Sequence, residues 1–251
     1  LFRCVPGSLN AGLNANAASI TGLTWSATLQ QCIVSNILEL PEFKRYCIPF
    51  SPRAAQEPGI VIRFATSINA GKNYFGWDLA GGDHTYSSSR FATKIRSAGI
   101  WLVNYNNTQL SETPYFYLIP VGADTLRSPG ADGGKLRTWK IVDQALPVPF
   151  PIASRDLSNP AWIPLNDTFT EPICAVRRFD SLRAYNDGGE FTTDQATYAS
   201  RLIGRSVWNT EWLLIIPAIE LHADRQYGLQ RFISTVTDIK IFFETYAYPG
   251  N

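Results

Sequence analysis

The chain has 251 residues, of which 45% are hydrophobic and 17% are charged, and its formal net charge is +1. This composition provides a hydrophobic core and excludes an intrinsically disordered chain, which combines low hydrophobicity with high net charge. A near-neutral charge argues against a nucleic-acid-binding protein, which carries a concentrated basic surface. No apolar run approaches the roughly 20 residues that span a membrane.

The N-terminal part of the sequence has no regular pattern. Small and polar residues dominate as far as residue 23, which predicts an irregular lead-in. The first residue is Leu1, and the sequence contains no methionine. Because an intact reading frame normally begins with Met, we expect this chain to be a segment of a longer protein.

A helical pattern follows the lead-in. Apolar residues recur near positions i, i+3, i+4, i+8 and i+11, which is the spacing of one helix face. These residues are Leu29, Cys32, Ile33, Ile37 and Leu40. Ser26 can cap the start of the helix, and Pro41 ends it or opens the next turn. The sequence therefore predicts one helix over residues 26–40, within an N-terminal region of residues 1–56.

Beyond this region the pattern is that of β-strands separated by turns. Strands are predicted at 60–64, 95–105, 115–119, 136–142, 208–216 and 239–244. In these segments β-branched and aromatic residues cluster or alternate with polar ones, and Gly, Asn, Asp and Pro mark the turns between them. We therefore expect a mainly β fold, with an antiparallel β-sandwich or jelly-roll-like domain over residues 57–251.

The cysteines and histidines form no recognisable zinc or catalytic motif. No cysteine pair has the C-x-x-C spacing of a zinc site, and Cys32 and Cys47 could be either disulfide-bonded or free thiols. The two histidines are His84 and His222. His84 follows Asp83 in a serine-rich loop, but the sequence lacks a G-x-S-x-G nucleophile elbow. We therefore expect no catalytic residues and no enzymatic activity.

A cluster of carboxylates suggests a metal site as one alternative. Asp187, Glu190 and Asp194 lie in and after a loop that contains two glycines. Carboxylates at loop spacing can bind Ca²⁺, although the spacing differs from that of an EF-hand. The other interpretation is an acidic surface loop with no cofactor.

A cluster of aromatic residues suggests a glycan site as another alternative. Tyr74, Phe75 and Trp77 lie beside two glycines, and on a β-sandwich such rings can form a platform on which a sugar stacks. The competing interpretation is that they belong to the core, because aromatic residues make up 13% of the chain.

Three segments, taken in order, resemble a known protein family. They are residues 91–101, 206–217 and 237–246, and their order is similar to that in the C-terminal region of the A component of Tc (toxin complex) insecticidal toxins. The family's R-R-I-K-S-V strand resembles residues 94–97, and its closing strand resembles residues 237–241 followed by Thr245 and Tyr246. The family's P-G-x-Y turn is replaced here by a longer glycine-rich insert at 71–86, and its final arginine is absent.

The resemblance implies a non-catalytic docking module. In the family, this region is a β-sandwich on a large oligomeric shell, on which the β-propeller of the B component docks. It therefore implies a protein partner and a homo-oligomer formed through the parent chain. We expect a secreted or extracellular location, with no nucleic acid bound and no membrane span in this segment. The alternative is a carbohydrate-binding β-sandwich of a secreted or surface protein.

Overall fold

The computed structural model describes residues 24–47, 55–76, 78, 89–128, 134–141, 179, 181–186, 202 and 204–249, and the backbone of residues 3–8. The strands are β1 (Arg3–Ser8), β2 (Ile33–Val34), β3 (Gly59–Phe64), β4 (Arg90–Val103), β5 (Tyr115–Pro120), β6 (Ala123–Arg127), β7 (Leu136–Lys140), β8 (Leu182–Tyr185), β9 (Trp212–Pro217) and β10 (Asp238–Pro249). The α-helices are α1 (Trp25–Gln31), α2 (Pro41–Tyr46), α3 (Ala218–Leu221) and α4 (Arg225–Thr235), and a 3₁₀ helix spans Ile37–Glu39. The predicted mainly β fold is confirmed.

The strands of the described residues form one large sheet and one hairpin. The large sheet has the order β1-β10-β4-β8-β5-β9-β3-β2, and β6 pairs with β7. Neighbouring strands are antiparallel except β4 and β8, which run parallel for two residue pairs. The predicted sandwich is therefore built from a mixed sheet in which antiparallel pairs dominate.

The large sheet folds over on itself to make two layers. Trp212 of β9 and Phe243 of β10 have ring centroids 5.3 Å apart, although three strands separate β9 from β10 in the sheet order. Such a contact requires that the faces of the two halves pack against each other, as in a sandwich. The four-residue strand β8 lies between the two halves, because it pairs with β4 on one side and with β5 on the other.

The core fills the space between these layers and the helices. All six residues of β9 are buried, as expected for a central strand covered on both faces. On α4, Phe232 contacts Tyr105 and Phe116 edge to face, with ring centroids 6.2 Å apart in both pairs. The indole nitrogen of Trp25 donates a hydrogen bond of 2.8 Å to the carbonyl of Val236, which joins α1 to the end of α4.

The prediction of a single helix over 26–40 is wrong in its length. α1 begins close to the expected position, with Thr24 rather than Ser26 as the N-cap, and it ends at Gln31. The reason is that β2 pairs with β3 immediately afterwards, and the amide of Val61 donates to the carbonyl of Cys32 at 2.8 Å. Cys32 and Cys47 are not joined to each other by a disulfide.

The helix α4 has no counterpart among the predicted elements. Its buried residues Gly228, Leu229, Phe232 and Ile233 lie on one face, and the side chain of Asp224 caps its N-terminus by accepting from the amide of Tyr227 at 3.1 Å. The predicted boundary between residues 56 and 57 stays a prediction. β1 and β2, which precede it, form the two edges of the large sheet.

Candidate functional site

The outer end of the β4–β10 pair departs from regular strand pairing. The register shifts twice, once between Glu244 and Thr245 and again between Tyr246 and Tyr248. Ala92, on the opposing strand, has a φ of 46°, a left-handed conformation that costs an L-residue roughly 1–2 kcal/mol. Bulges redirect side chains and are common beside functional sites, and backbone strain of this kind also concentrates there. This end of the β4–β10 pair is therefore a candidate functional site.

A cleft of about 220 Å³, which we call the end cleft, lies at this position. Its lining includes four hydroxyl side chains and one guanidinium, from Tyr74, Ser89, Thr93, Thr245 and Arg90. Ala247 and Pro249 of β10 also line it. The end cleft thus combines hydrogen-bonding groups, one fixed positive charge and a small apolar surface.

One side of the end cleft is fixed by a buried hydrogen bond. The hydroxyl oxygen of Tyr74 lies 2.9 Å from Oγ1 of Thr245, and the two residues are 3% and 5% exposed. The carbonyl of Tyr74 also accepts from the amide of Ser67 at 2.8 Å. These bonds hold the turn that follows β3 against β10, so this wall is organised before any ligand arrives.

Arg90 supplies the positive charge of the end cleft. It is the first residue of β4 and is half-buried, and its backbone carbonyl accepts a hydrogen bond from Nη2 of Arg127. Among the described residues, no carboxylate pairs with the Arg90 guanidinium. By contrast, Arg96 pairs with Glu244 at 3.2 Å and Arg225 pairs with Glu57 at 2.8 Å.

Few acidic residues lie on β4 and β10, the two described strands that meet at the end cleft. The acids of β4 and β10 are Asp238, at the far end of β10, and Glu244. Glu244 already accepts from Oγ of Ser97 at 2.7 Å and from Arg96. Burial lowers the pKa of Lys94 to about 8, and its ammonium lies 5.9 Å from the centre of the Tyr248 ring. An anion would therefore meet little electrostatic opposition from these two strands.

A second polar cluster lies deep in the fold and has a structural role. The carboxylate of Asp124 accepts from the side-chain amide of Asn209 at 2.8 Å and lies 3.6 Å from the guanidinium of Arg205. Asp124 and Arg205 are each 3% exposed. Burial raises the pKa of Asp124 to about 6, against the opposing effects of Arg205 and Asn209. Burial likewise lowers the pKa of Arg205.

The same cluster holds the segment before β9 in place. Thr66 accepts at its Oγ1 from the indole of Trp212 at 2.7 Å and donates to the carbonyl of Val207 at 2.5 Å. Oγ of Ser206 donates to the carbonyl of Thr125 at 2.5 Å. Because these groups bond to one another and are buried, they connect the segment after β3 to β6 and β9.

Two of the three aromatic residues of the predicted glycan platform, Tyr74 and Phe75, have different surroundings in the structure. Tyr74 lines the end cleft, whereas Phe75 packs between Phe64 and Phe243, with ring centroids 6.0 and 6.1 Å away. Trp77 lies outside the described residues. The platform of Tyr74, Phe75 and Trp77 therefore stays a prediction, and in the described residues Tyr74 is 3% exposed while Phe75 packs against core rings. Arg90, Thr93 and Thr245 were not predicted as site residues.

The predicted Ca²⁺ ligands Asp187, Glu190 and Asp194 lie outside the described residues. Within the described part of the chain, no group of three or more His, Cys, Asp and Glu side chains could hold a metal ion. His84 is likewise outside that part. His222 is half-buried, accepts at Nδ1 from the amide of Asp224 at 3.0 Å and lies against the ring of Tyr227.

Comparison with known proteins gives no match. We found no similar family model, curated protein or solved structure for this chain. The likeness to Tc toxins therefore stays a prediction. None of the helices that the structure describes is long and apolar enough to cross a membrane.

Proposed function

We propose that this chain is a non-catalytic binding module and that its binding site is the end cleft. The observation that carries the proposal is the position of Arg90, a half-buried arginine that lines a hydroxyl-rich cleft and has no carboxylate partner among the described residues. A ligand that supplies hydrogen-bonding oxygens fits this lining. The best-supported function is therefore carbohydrate binding.

The proposal is supported by how the other polar groups are used. Glu57 is fully buried and accepts from the amide of Ile219 and from Arg225, both at 2.8 Å. Together with the cluster around Asp124, this places the buried charges of Glu57, Asp124 and Arg205 in contacts that hold elements together. The end cleft differs because Arg90 and four hydroxyl-bearing residues line a space of about 220 Å³.

A substitution that fills the end cleft tests this function. Ala247→Phe places a ring in the cleft, whereas Lys240→Phe adds the same ring at an exposed position of the same strand. In a glycan array screen, we expect saturable binding of at least one glycan class by the wild type and by Lys240→Phe, and its loss in Ala247→Phe. Binding that is absent, or that survives in Ala247→Phe, contradicts the proposal.

A second candidate is docking to a protein partner, as the resemblance to the A component of Tc toxins implies. β1 pairs with β10 only between Lys240 and Thr245, so the described part of β1 leaves the end of β10 uncovered along this edge. Tyr248, in this end of the strand, is 41% exposed. Exposed strand edges and aromatic side chains are common features of protein recognition sites.

The size of the native protein tests the docking candidate. Mass photometry of the protein isolated from its source should show a particle several times larger than the 27.9 kDa of this chain, as expected for a terminal module of a large oligomer. A particle of the mass of this chain alone contradicts the docking candidate and leaves carbohydrate binding unaffected.

A further inference from the structure

Arg90 determines the charge of the end cleft. Of the described residues that line the cleft, it alone carries a charged side chain. A guanidinium is a planar fork of donors that matches the two oxygens of a carboxylate. Because no described carboxylate occupies that fork, the carboxylate of a ligand can pair with it.

The hydroxyl groups of the end cleft narrow the ligand further. Ser89, Thr93 and Thr245 each carry a hydroxyl that can both donate and accept, and the Thr245 hydroxyl is oriented by Tyr74 at 2.9 Å. A surface with several groups of this kind suits a ligand that has several hydroxyls of its own. A simple carboxylate offers no hydroxyls to this lining.

The size of the end cleft suits a single ring. Sites for drug-sized ligands occupy roughly 300–1,000 Å³, and the end cleft measures about 220 Å³. Ala247 and Pro249 supply a small apolar surface against which the C–H face of a sugar ring can lie. A single six-membered ring with hydroxyls and one carboxylate has the required size and chemistry.

We infer that the end cleft binds an acidic sugar, a uronic acid unit of a glycan, and that Arg90 binds its carboxylate. This inference rests on the proposed function, because it names the ligand class of the same cleft. The ring hydroxyls bond to the threonine and serine side chains, and the carboxylate pairs with the guanidinium. The wall formed by Tyr74 and Thr245 orients the sugar ring in the cleft.

Isothermal titration calorimetry with three matched probes tests the inference. D-glucuronic acid carries both the hydroxyls and the carboxylate, D-glucose has a hydroxymethyl group in place of the carboxylate, and propionate has the carboxylate alone. We expect glucuronate to bind at least about tenfold more tightly than either of the other two, because a charge-assisted hydrogen bond contributes at least one factor of ten.

Two variants test whether Arg90 binds the carboxylate of glucuronate. Arg90→Gln should reduce glucuronate binding about tenfold, to the level of glucose. Arg183→Gln is the matched control, because it removes the same charge from an exposed arginine that lies 4.9 Å from the Tyr185 ring. It should leave the affinity unchanged. An unchanged melting temperature of Arg90→Gln ensures that the loss reflects recognition rather than unfolding.

Each contrary outcome has a separate meaning. Equal binding of glucose and glucuronate, with neither affected by Arg90→Gln, overturns the carboxylate assignment, while loss of binding in Ala247→Phe would still support the proposed function. Propionate binding as tightly as glucuronate overturns the assignment of a sugar. Absence of binding by all three probes overturns the inference, and the proposed function fails with it only if the glycan array is also negative.

Discussion

Two arginines of this chain occupy opposite environments. One belongs to a buried structural cluster and the other to the candidate binding site. Arg205 is 3% exposed and lies beside Asp124 in a cluster of mutually bonded groups. Arg90 is half-buried in the lining of a cleft, and no described carboxylate pairs with it. A buried charge must be compensated by the fold itself. A cleft charge with no carboxylate partner among the described residues is available to a ligand.

The backbone shows the same contrast. Around Asp124, the strands β6 and β7 pair in regular register over five residue pairs. Around Arg90, β4 and β10 shift register twice, and Ala92 adopts a left-handed conformation. The regular region contributes rigidity, and the irregular region creates the space in which a ligand can lie.

The largest expected effect comes from removing the buried carboxylate. Asp124→Ala leaves the guanidinium of Arg205 buried without its counterion, and we expect the free energy of unfolding to fall by roughly 3–5 kcal/mol. Glu211→Ala, which removes an exposed partner of Arg63, should cost less than about 1 kcal/mol. Urea denaturation measures both. Equal losses of unfolding free energy in the two variants would contradict the structural role of the Asp124 cluster.

The pH dependence of stability sharpens this prediction. The pKa of Asp124 is about 6 in the folded protein against a usual 3.8, so between these values the folded state binds more protons than the unfolded state. The contribution of Asp124 to stability therefore falls as the pH rises from 4 to 6, by roughly 2–3 kcal/mol. In Asp124→Asn this contribution is absent.

The measurement is the difference in unfolding free energy between the wild type and Asp124→Asn at a series of pH values. We expect the advantage of the wild type to shrink between pH 4 and 6. A difference that stays constant, or that grows with pH, would mean that burial does not dominate the protonation of this carboxyl.

A smaller effect is expected at Ala92, the strained residue of β4 next to Thr93 of the end cleft. Ala92→Val places a β-branched side chain at a φ of 46°, where such residues are rarely found, and should lower the free energy of unfolding by roughly 1–2 kcal/mol. Ala92→Gly relieves the steric conflict and should cause no comparable loss. Thermal denaturation of both variants checks this, and equal destabilisation would argue against backbone strain at this position.

The smallest expected effect on stability is that of Arg90→Gln. Because the guanidinium has no carboxylate partner among the described residues, its loss should change the free energy of unfolding by less than about 0.5 kcal/mol. Chemical denaturation provides the test. A cost similar to that of Asp124→Ala would place Arg90 in a structural role and remove the contrast between the two regions.

Much of the sheet was predictable because its strands have a clear local signal. β3, β5 and β10 lie close to the predicted segments, since β-branched and aromatic residues alternate or cluster there. Helix α4 was missed, although Leu229, Phe232 and Ile233 share a face and Asp224 caps it. The break after α1 could not be foreseen, because pairing between β2 and β3 overrides a continuous helical pattern.

The site was less predictable than the fold. Tyr74 was identified from its aromatic neighbours, but the structure places it with hydroxyls and an arginine instead. Arg90 and Thr245 are 155 positions apart in the sequence and both line the cleft because of the register of β4 and β10. No short motif encodes that proximity. Bulges and cleft linings depend on tertiary pairing, which a local pattern does not contain.

The most direct test of the end cleft as an acidic-sugar site is a titration of the ¹⁵N-labelled protein with D-glucuronic acid, followed by amide chemical shifts. We expect saturable shifts at the amides of Arg90, Thr93, Thr245 and Ala247, and their loss in Arg90→Gln. If the chemical shifts of these amides do not change, or if D-glucose causes the same changes at the same concentrations, the assignment of the end cleft as an acidic-sugar site is contradicted.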